Sequence, residues 1–307
     1  MEKMLGNKKY ILIFILPALL LFLGFTLIPL ITSGVYSFFE YNGIGSKTFI
    51  GIKNYIELFT SDRYFPQAVK NSLILVAASL FIQLPISLIL ALILSKGVKG
   101  DNFFRTIYFI PVVISSMVIG QLWLKMFNSD YGVINTVIRY FVPEYEHSWL
   151  TKNAFMTVLI PSVWQYIGYH MIIFYAGIKS ISTDYYEAAQ IDGATHWRIL
   201  RSIVLPLSKA TIAVMVLYYG VEKWNGWFWA SALIRDRGKL PLQVILREIL
   251  LSSTQSMQTG AGSSDTEAIG VTIRYATTIV ATVPILCVYP FIQKYFTKGV
   301  MIGAVKG

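Results

Sequence analysis

The sequence predicts an all-α membrane protein with six transmembrane helices, in a single domain that covers residues 1–307. Hydrophobic residues make up 55% of the chain and charged residues 14%, whereas about 25% of the residues in a soluble domain are charged. The apolar residues also fall into long stretches with almost no charge, and a helix needs about 20 such residues to cross a bilayer. The pattern shows no second soluble domain and no internal repeat.

Six apolar stretches are long enough, or nearly long enough, to span a membrane. We expect them to be helical because the bilayer core offers no water to unpaired backbone groups. The predicted spans cover residues 10–36, 71–95, 106–124, 154–178, 210–234 and 272–293. Prolines inside these stretches predict kinks at Pro17, Pro29, Pro85, Pro111, Pro161, Pro284 and Pro290.

The charges outside the spans indicate the orientation of the chain. The first span follows a basic segment, but it is longer than the apolar core of a secretion signal and lacks a small-residue cleavage site, so we expect it to be retained. Six spans put both termini on one side. The basic N-terminus and the short basic loop at residues 96–105 favour a cytoplasmic location for both termini. The total numbers of Lys and Arg residues on the two sides of the membrane are nevertheless almost equal. We therefore expect a multi-pass protein of the bacterial plasma membrane.

Several function classes are disfavoured. The net charge of +10 is spread over many short loops, which argues against a nucleic-acid partner. The lipid bilayer is the partner that we expect instead. Cys287 is the single cysteine, so no internal disulfide can form. The three histidines lack metal-ligand spacing, and the chain has neither a nucleophile-elbow motif nor a phosphate-binding loop. We therefore expect no catalytic residue, no metal and no cofactor in this chain.

A polar segment at residues 182–206, "STDYYEAAQIDGATHWRILRSIVLP", lies between the fourth and fifth predicted spans. Asp184 with Glu187 three residues later predicts a capped helix start, and Thr183 is the rival cap. Gly193 can adopt a positive φ and end that helix, and Thr195 can cap a second one. The pattern predicts two short helices joined by a glycine turn. Local physics is equally consistent with a plain connection and with a functional element.

This segment resembles a family motif. The stretch "EAAQIDGA" followed by "LP" is similar to the EAA motif in the permease subunits of binding-protein-dependent ABC importers. The matching positions are Glu187, Ala188, Ala189, Asp192, Gly193, Ala194, Leu205 and Pro206. The resemblance implies that they form a cytoplasmic coupling helix–turn–helix that docks on an ATPase subunit. Glu187 would either pair with a basic residue of the ATPase or close its own capping box.

The resemblance extends over nearly the whole chain. The stretches "NYIELF", "RTIYFIPVVIS" and "WNGWFWA" and the tail "YPFIQKYFTKGVMIGAVKG" are similar to the carbohydrate branch of these permeases, the maltose and oligosaccharide type. The resemblance implies a type I ABC importer permease fold that carries a sugar or oligosaccharide delivered by an external sugar-binding lipoprotein.

The same resemblance implies the partner subunits. ATP and magnesium would bind to a cytoplasmic ATPase dimer and not to this chain. A second permease subunit would complete a heterodimer. A homodimer stays open, because the N-terminal half and the C-terminal third of the chain resemble different partners of the usual pair.

The fifth predicted span carries an acid and a base side by side in "LYYGVEKWNGWFWASALI". Charged groups within a span are costly and are usually functional. At about 100° per residue, Tyr218, Glu222, Asn225 and Trp229 share one helix face. The fourth span adds Gln165 and Tyr169. The candidate substrate path consists of Tyr218, Glu222, Asn225, Trp229, Gln165 and Tyr169.

These residues suit a sugar because aromatic rings stack on its C–H faces and polar groups bind its hydroxyls. An interfacial aromatic belt and polar contacts that hold helices together are the alternatives. Lys223 would pair with another span or reach the membrane surface.

An ion-coupled secondary transporter of a small polar solute is the alternative function. Such a transporter is expected to show an inverted repeat and coordinating groups in both halves, and the sequence shows neither. The tail after Gln293 mixes lysines with glycines and apolar residues, which fits either a segment laid into a partner or a frayed end.

Overall fold

The computed structural model describes residues 8–41, 46–259, 273–291 and 293, and these residues are predominantly helical. The chain divides into two compact units, residues 1–66 with 246–284 and residues 67–245 with 285–307. The single domain that we expect from the sequence stays a prediction. The tail after Gln293 lies outside the described residues.

The first unit contains apolar helices and a short hairpin. Its elements up to residue 66 are α1 (Lys8–Phe22), a π-helical segment (Leu23–Leu27), α2 (Ile28–Tyr36), β1 (Phe39–Glu40), β2 (Thr48–Phe49) and α3 (Lys53–Thr60). The strands pair antiparallel, with Phe39 opposite Phe49. The buried Asn54 amide donates to the carbonyls of Ser37 and Phe39 at 2.7 and 3.3 Å. Asn54 thus ties α3 to the end of α2.

The second unit carries the polar segment and most of the predicted spans. Its elements are α4 (Phe65–Ala78), a π-helical segment (Ser79–Gln83), α5 (Leu84–Ser95), α6 (Asp101–Val113), α7 (Ser116–Met126), α8 (Val133–Phe141), α9 (Trp149–Lys152), α10 (Ala154–Trp164), α11 (Ile167–Lys179), α12 (Thr183–Ile191), α13 (His196–Ile199), a π-helical segment (Leu200–Val204), α14 (Leu205–Leu207), α15 (Lys209–Trp224), α16 (Phe228–Leu233) and a 3₁₀ turn (Arg237–Lys239). Two further helices, α17 (Leu242–Thr259) and α18 (Ile273–Phe291), contribute residues to both units, as α4 does through Phe65 and Pro66.

The three π-helical segments share a physical cause. A proline follows each of them as the second residue after its end: Pro29, Pro85 and Pro206. Proline has no N–H, and its ring clashes with the carbonyl four residues earlier. A widened turn at that place relieves the clash and keeps the helix going. The kinks predicted at Pro29 and Pro85 therefore take the form of widened turns.

Three helices are long and apolar enough to cross a membrane, and they match the first, second and sixth predicted spans. They are Leu12–Tyr36, Phe65–Ser95 and Ile273–Phe291. Two bent helix pairs would raise the number to five: Asp101–Val113 with Ser116–Met126 at 97°, and His196–Leu207 with Lys209–Leu233 at 69°. The fourth predicted span consists of two short helices, α10 and α11. The described residues thus hold three to five candidate spans, and six stays a prediction.

The core of the second unit lies where α5, α11 and α15 pack together. These helices and the segment after α12 contribute one apolar cluster: Leu84, Ala91, Leu94, Met171, Phe174, Ile178, Ile199, Val204, Met215 and Tyr219. Helix α11 also approaches α6 closely at Gly168, where a Cβ atom would lie 1.8 Å from the carbonyl oxygen of Tyr108. A side chain at residue 168 is incompatible with this crossing.

Candidate functional site

Three apolar helical segments of the second unit are interrupted. The third predicted span breaks between α6 and α7, the fourth between α10 and α11, and the fifth between α15 and α16. A helix end leaves carbonyl oxygens without an intrahelical donor. Such oxygens are costly in apolar surroundings unless another group donates to them. The side chains that donate to these oxygens are therefore the ones that hold the breaks in place.

Lys223 binds a carbonyl at the break in the fourth span. Its Nζ donates to the Ser162 carbonyl at 3.0 Å, and the residue is 7% exposed. The ammonium also lies 5.0 Å from the centre of the Tyr166 ring, within the distance of a cation–π contact. Of the two alternatives for Lys223, the structure therefore shows pairing with another span.

Gln165 has a similar role at the break in the third span. Its Nε2 lies 3.4 Å from the Pro111 carbonyl oxygen and 3.4 Å from Ser116 Oγ. Gln165 is buried, and its Oε1 has no partner among the described residues. Gln165 therefore bridges two predicted spans, and the substrate contact that we expect for it stays a prediction.

The fourth span has a second support at its break, on the side of α11. Ser87 Oγ lies 2.9 Å from the Ile167 carbonyl oxygen and 2.8 Å from the Gln83 carbonyl oxygen. Gln83 Nε2 is 3.1 Å from His170 Nδ1, and both side chains are fully buried. Buried polar groups thus fix the start of α11 against α5.

Asn225 supports the break in the fifth span. Its Nδ2 donates to the Val221 carbonyl at 3.0 Å, and its Oδ1 accepts from Gln243 Nε2 at 3.1 Å. Helix α15 ends at Trp224, immediately before this residue. Asn225 therefore acts where the span changes direction.

The end of α15 overturns one expectation. The prediction that Trp229 shares a helical face with Tyr218 and Glu222 is wrong, because the chain leaves the helix after Trp224 and re-enters one at Phe228. Trp229 instead packs against a separate apolar cluster of Ile119, Trp123 and Phe127. Periodicity alone does not show that Asn225, Gly226 and Trp227 interrupt the helix.

The three breaks line a single cavity of about 310 Å³. Its wall consists of Leu75, Ser116, Val158, Ser162, Tyr166, Glu222, Lys223, Asn225, Gly226, Trp227, Phe228, Trp229 and Ala230. Three residues of the predicted substrate path, Glu222, Asn225 and Trp229, belong to this wall. Tyr218 and Tyr169 do not, and their side chains are exposed.

Glu222 places a carboxylate in the wall of this cavity. Among the described residues this carboxylate has no hydrogen-bond or salt-bridge partner, although its charge interacts with that of Lys223, and Trp227 and Phe228 line the same space. Apart from Lys223, sequence reasoning missed the other polar and aromatic wall residues, namely Ser116, Ser162, Tyr166, Trp227 and Phe228. The available signal was proline position, because the third and fourth spans break three to four residues after Pro111 and Pro161.

The polar segment forms two short helices, α12 and α13, as the caps predict. The first cap differs: Ser182 accepts from the Asp184 backbone N–H at 3.4 Å, so the predicted caps at Asp184 and Thr183 are wrong by one or two residues. Thr195 Oγ1 accepts from the Arg198 N–H at 3.4 Å, as predicted. Gly193 has a φ of +70°, which confirms the predicted glycine turn.

The EAA-like residues divide into an inner and an outer set. Ala189 and Ala194 pack against the apolar core that α5, α11 and α15 share. The exposed members are Glu187, Ala188, Asp192, Gly193 and Pro206, and Leu205 is half-buried. The segment is therefore seated on the ends of the helices through its inner set.

The outer surface of this segment also carries large apolar side chains. Tyr185, Ile191 and Trp197 are 56%, 87% and 69% exposed. Burial raises the pKa of the nearby Tyr186 phenol, which lies on the inner side and has no hydrogen-bond partner in the described part of the chain. Exposed apolar groups beside acidic ones are typical of a surface that binds another protein.

Comparisons with known proteins point to the same family as the EAA-like motif. The family model described as "Binding-protein-dependent transport system inner membrane component" matches residues 83–302. A probable ABC transporter permease protein of Pyrococcus horikoshii is 36% identical over 216 residues, which are 69% of this chain and 74% of that protein. A probable starch degradation products transport system permease protein of Thermoanaerobacterium thermosulfurigenes is 33% identical over 207 residues, 67% of this chain and 70% of that protein.

A solved structure has the same fold. It is the crystal structure of a bacterial alginate ABC transporter in complex with an alginate pentasaccharide-bound periplasmic protein. One of its chains superposes with a TM-score of 0.72 at 24% identity, and the match covers 92% of both chains.

Proposed function

Since this chain belongs to the family of binding-protein-dependent transport system inner membrane components, we propose that it forms the path for a sugar or oligosaccharide in an ATP-driven importer. One observation carries the proposal beyond the family: three helix breaks meet at one cavity with aromatic and carboxylate walls. Transporters commonly bind substrate where discontinuous helices meet. The starch-product permease and the alginate transporter support a carbohydrate substrate.

The cavity offers the two kinds of contact that a sugar needs. The rings of Trp227, Phe228 and Trp229 offer apolar faces to the C–H faces of a sugar ring. Glu222 offers two carboxylate oxygens to hydroxyl donors. In this proposal Tyr218, Tyr169 and Gln165 serve the path outside this cavity or support its walls.

Residues 182–206 couple this path to ATP hydrolysis on a separate subunit. The glycine turn and the exposed Glu187, Ala188 and Asp192 form the docking surface for a cytoplasmic ATPase dimer, which holds ATP and magnesium. The inner set, Ala189 and Ala194, passes the movement to the ends of α5, α11 and α15. Coupling needs this rigid seat, because a slack loop would absorb the movement.

The proposed assembly has six spans per chain and cytoplasmic termini. A second permease subunit completes a heterodimer, and an external sugar-binding lipoprotein delivers the substrate. The family is by its description binding-protein-dependent, which supports such a receptor. The same membership disfavours the ion-coupled secondary transporter, since this chain is a subunit of a transport system and not a transporter by itself.

Purification of the chain with its neighbours tests the proposal. We expect the complex in lipid nanodiscs to hydrolyse ATP several times faster when the sugar-loaded receptor is added than with the empty receptor. Removal of the ATPase subunit should abolish hydrolysis. Substrate accumulation that follows an ion gradient without ATP would contradict the proposal and favour a secondary transporter.

A further inference from the structure

We infer that the cavity at the three helix breaks selects an uncharged sugar with neighbouring hydroxyl groups, and that the Glu222 carboxylate makes this selection. The inference rests on the proposed function and narrows its substrate class.

Two charged side chains line the cavity, Glu222 and Lys223. Lys223 is already committed, because its ammonium donates to the Ser162 carbonyl at 3.0 Å, lies over the Tyr166 ring and is 7% exposed. Withdrawing it would leave a buried carbonyl without a donor, which is unfavourable. A substrate carboxylate therefore cannot claim Lys223 without breaking the support of the fourth span.

Asn225 is committed in the same way. Its amide nitrogen donates to the Val221 carbonyl, and its amide oxygen accepts from Gln243. Glu222, in contrast, has no hydrogen-bond or salt-bridge partner among the described residues, although its charge interacts with that of the neighbouring Lys223. Of these three polar wall residues, the one whose side chain is free to bind a ligand is an acid.

An ionised carboxylate only accepts hydrogen bonds. Two hydroxyl groups on adjacent sugar carbons supply two donors, one for each carboxylate oxygen, and the charge strengthens both bonds. The carboxylate of a uronic acid supplies no donor and places a second negative charge beside Glu222. Like charges so placed are repelled, so the same group that binds an uncharged sugar rejects an acidic one.

The volume fits one end of a sugar chain and not a long polymer. At about 310 Å³ the cavity lies at the lower end of small-molecule pockets, which span about 300–1,000 Å³. The rings of Trp227 and Trp229 then stack on this terminal sugar while Glu222 reads its hydroxyls. Selection here acts on the sugar after the receptor has released it.

Direct binding to the complete complex tests the inference. The complex in nanodiscs, without receptor, is titrated with maltotriose and cellotriose as uncharged probes and with trigalacturonate as the acidic probe, and tryptophan fluorescence reports binding. We expect the better uncharged probe to bind at least about tenfold more tightly than trigalacturonate, because like-charge repulsion opposes the latter. Glu222→Gln keeps the size of the side chain and removes its charge, so it should strengthen trigalacturonate binding and close most of this gap.

Glu57→Gln is the matched control, since Glu57 on α3 does not line this cavity, and it should leave the ratio unchanged. Equal binding of the uronate to the wild type, or an unchanged ratio in Glu222→Gln, would overturn the inference. Binding of none of the probes would overturn it too, whereas the proposed function is judged separately by receptor-stimulated ATP hydrolysis.

Discussion

At two positions a polar side chain binds a backbone carbonyl where an apolar helix is interrupted. Lys223 and Gln165 reach the carbonyls of Ser162 and Pro111 from a neighbouring predicted span. A carbonyl in a membrane has no water to bind, so an interruption persists only where the protein supplies a donor. These residues therefore explain how irregular backbone is tolerated around the cavity.

At the crossing of α6 and α11, the absence of a side chain at Gly168 lets the two backbones approach closely. We expect Gly168→Ala to reduce stability by roughly 1–3 kcal/mol, because its methyl carbon would lie 1.8 Å from a backbone oxygen of Tyr108 that cannot move aside. Heat-induced unfolding of the purified protein in detergent measures the loss.

Gly220→Ala is the control for that prediction. Gly220 lies within α15, and a Cβ atom there meets nothing within 4 Å. Alanine favours a helix over glycine by about 1 kcal/mol, so this variant should unfold at the wild-type temperature or slightly higher. An equal loss in both variants would mean that the close crossing does not decide the outcome.

At the scale of elements, the polar segment is held by local caps and by packing on the core. Ser182 and Thr195 cap its two helices, Gly193 turns the chain between them, and the inner alanines seat it on the core. The helix continues from the π-helical segment before Pro206 to Leu207, and the chain bends by 69° at Ser208 before α15 begins. In the proposed coupling, movement of the segment reaches the fifth predicted span through this bend.

The glycine turn gives a prediction at this scale. A Cβ atom at Gly193 meets nothing within 4 Å, so the cost of a substitution comes from its φ of +70°. Gly193→Val should strain the turn by about 1–2 kcal/mol and uncouple ATP hydrolysis from uptake while membrane insertion stays normal. Gly193→Asn should keep most of the coupling, because asparagine tolerates this conformation.

Uptake and ATP hydrolysis are measured together in proteoliposomes for both variants. Glu187→Ala serves as a milder comparison, because Glu187 is exposed and its removal leaves the positive φ at Gly193 unchanged. If valine and asparagine behave alike, the backbone conformation of the turn does not matter for coupling.

For the whole molecule, the proposed membrane orientation can be tested at one residue of the polar segment. Ile191 is 87% exposed beside the glycine turn, whereas Ala189 packs into the core. After replacement of Cys287, the single native cysteine, we expect a cysteine at 191 to crosslink to the ATPase subunit and a cysteine at 189 to crosslink much less. Reaction of the cysteine at 191 with a membrane-impermeant reagent added outside intact cells would reverse the proposed orientation.

The amino-acid sequence by itself determined that the chain is helical and membrane-spanning, because uninterrupted apolar length is a local property. It also determined the glycine turn and the Thr195 cap, since both depend on residues a few positions apart. Tertiary structure decided the site. Lys223 and Ser162 are 61 residues apart, and a donor and an orphan carbonyl at that separation meet only after the helices pack. Periodicity assumes a continuous helix, so it placed Trp229 on the wrong face and gave no sign that three breaks would enclose a single cavity.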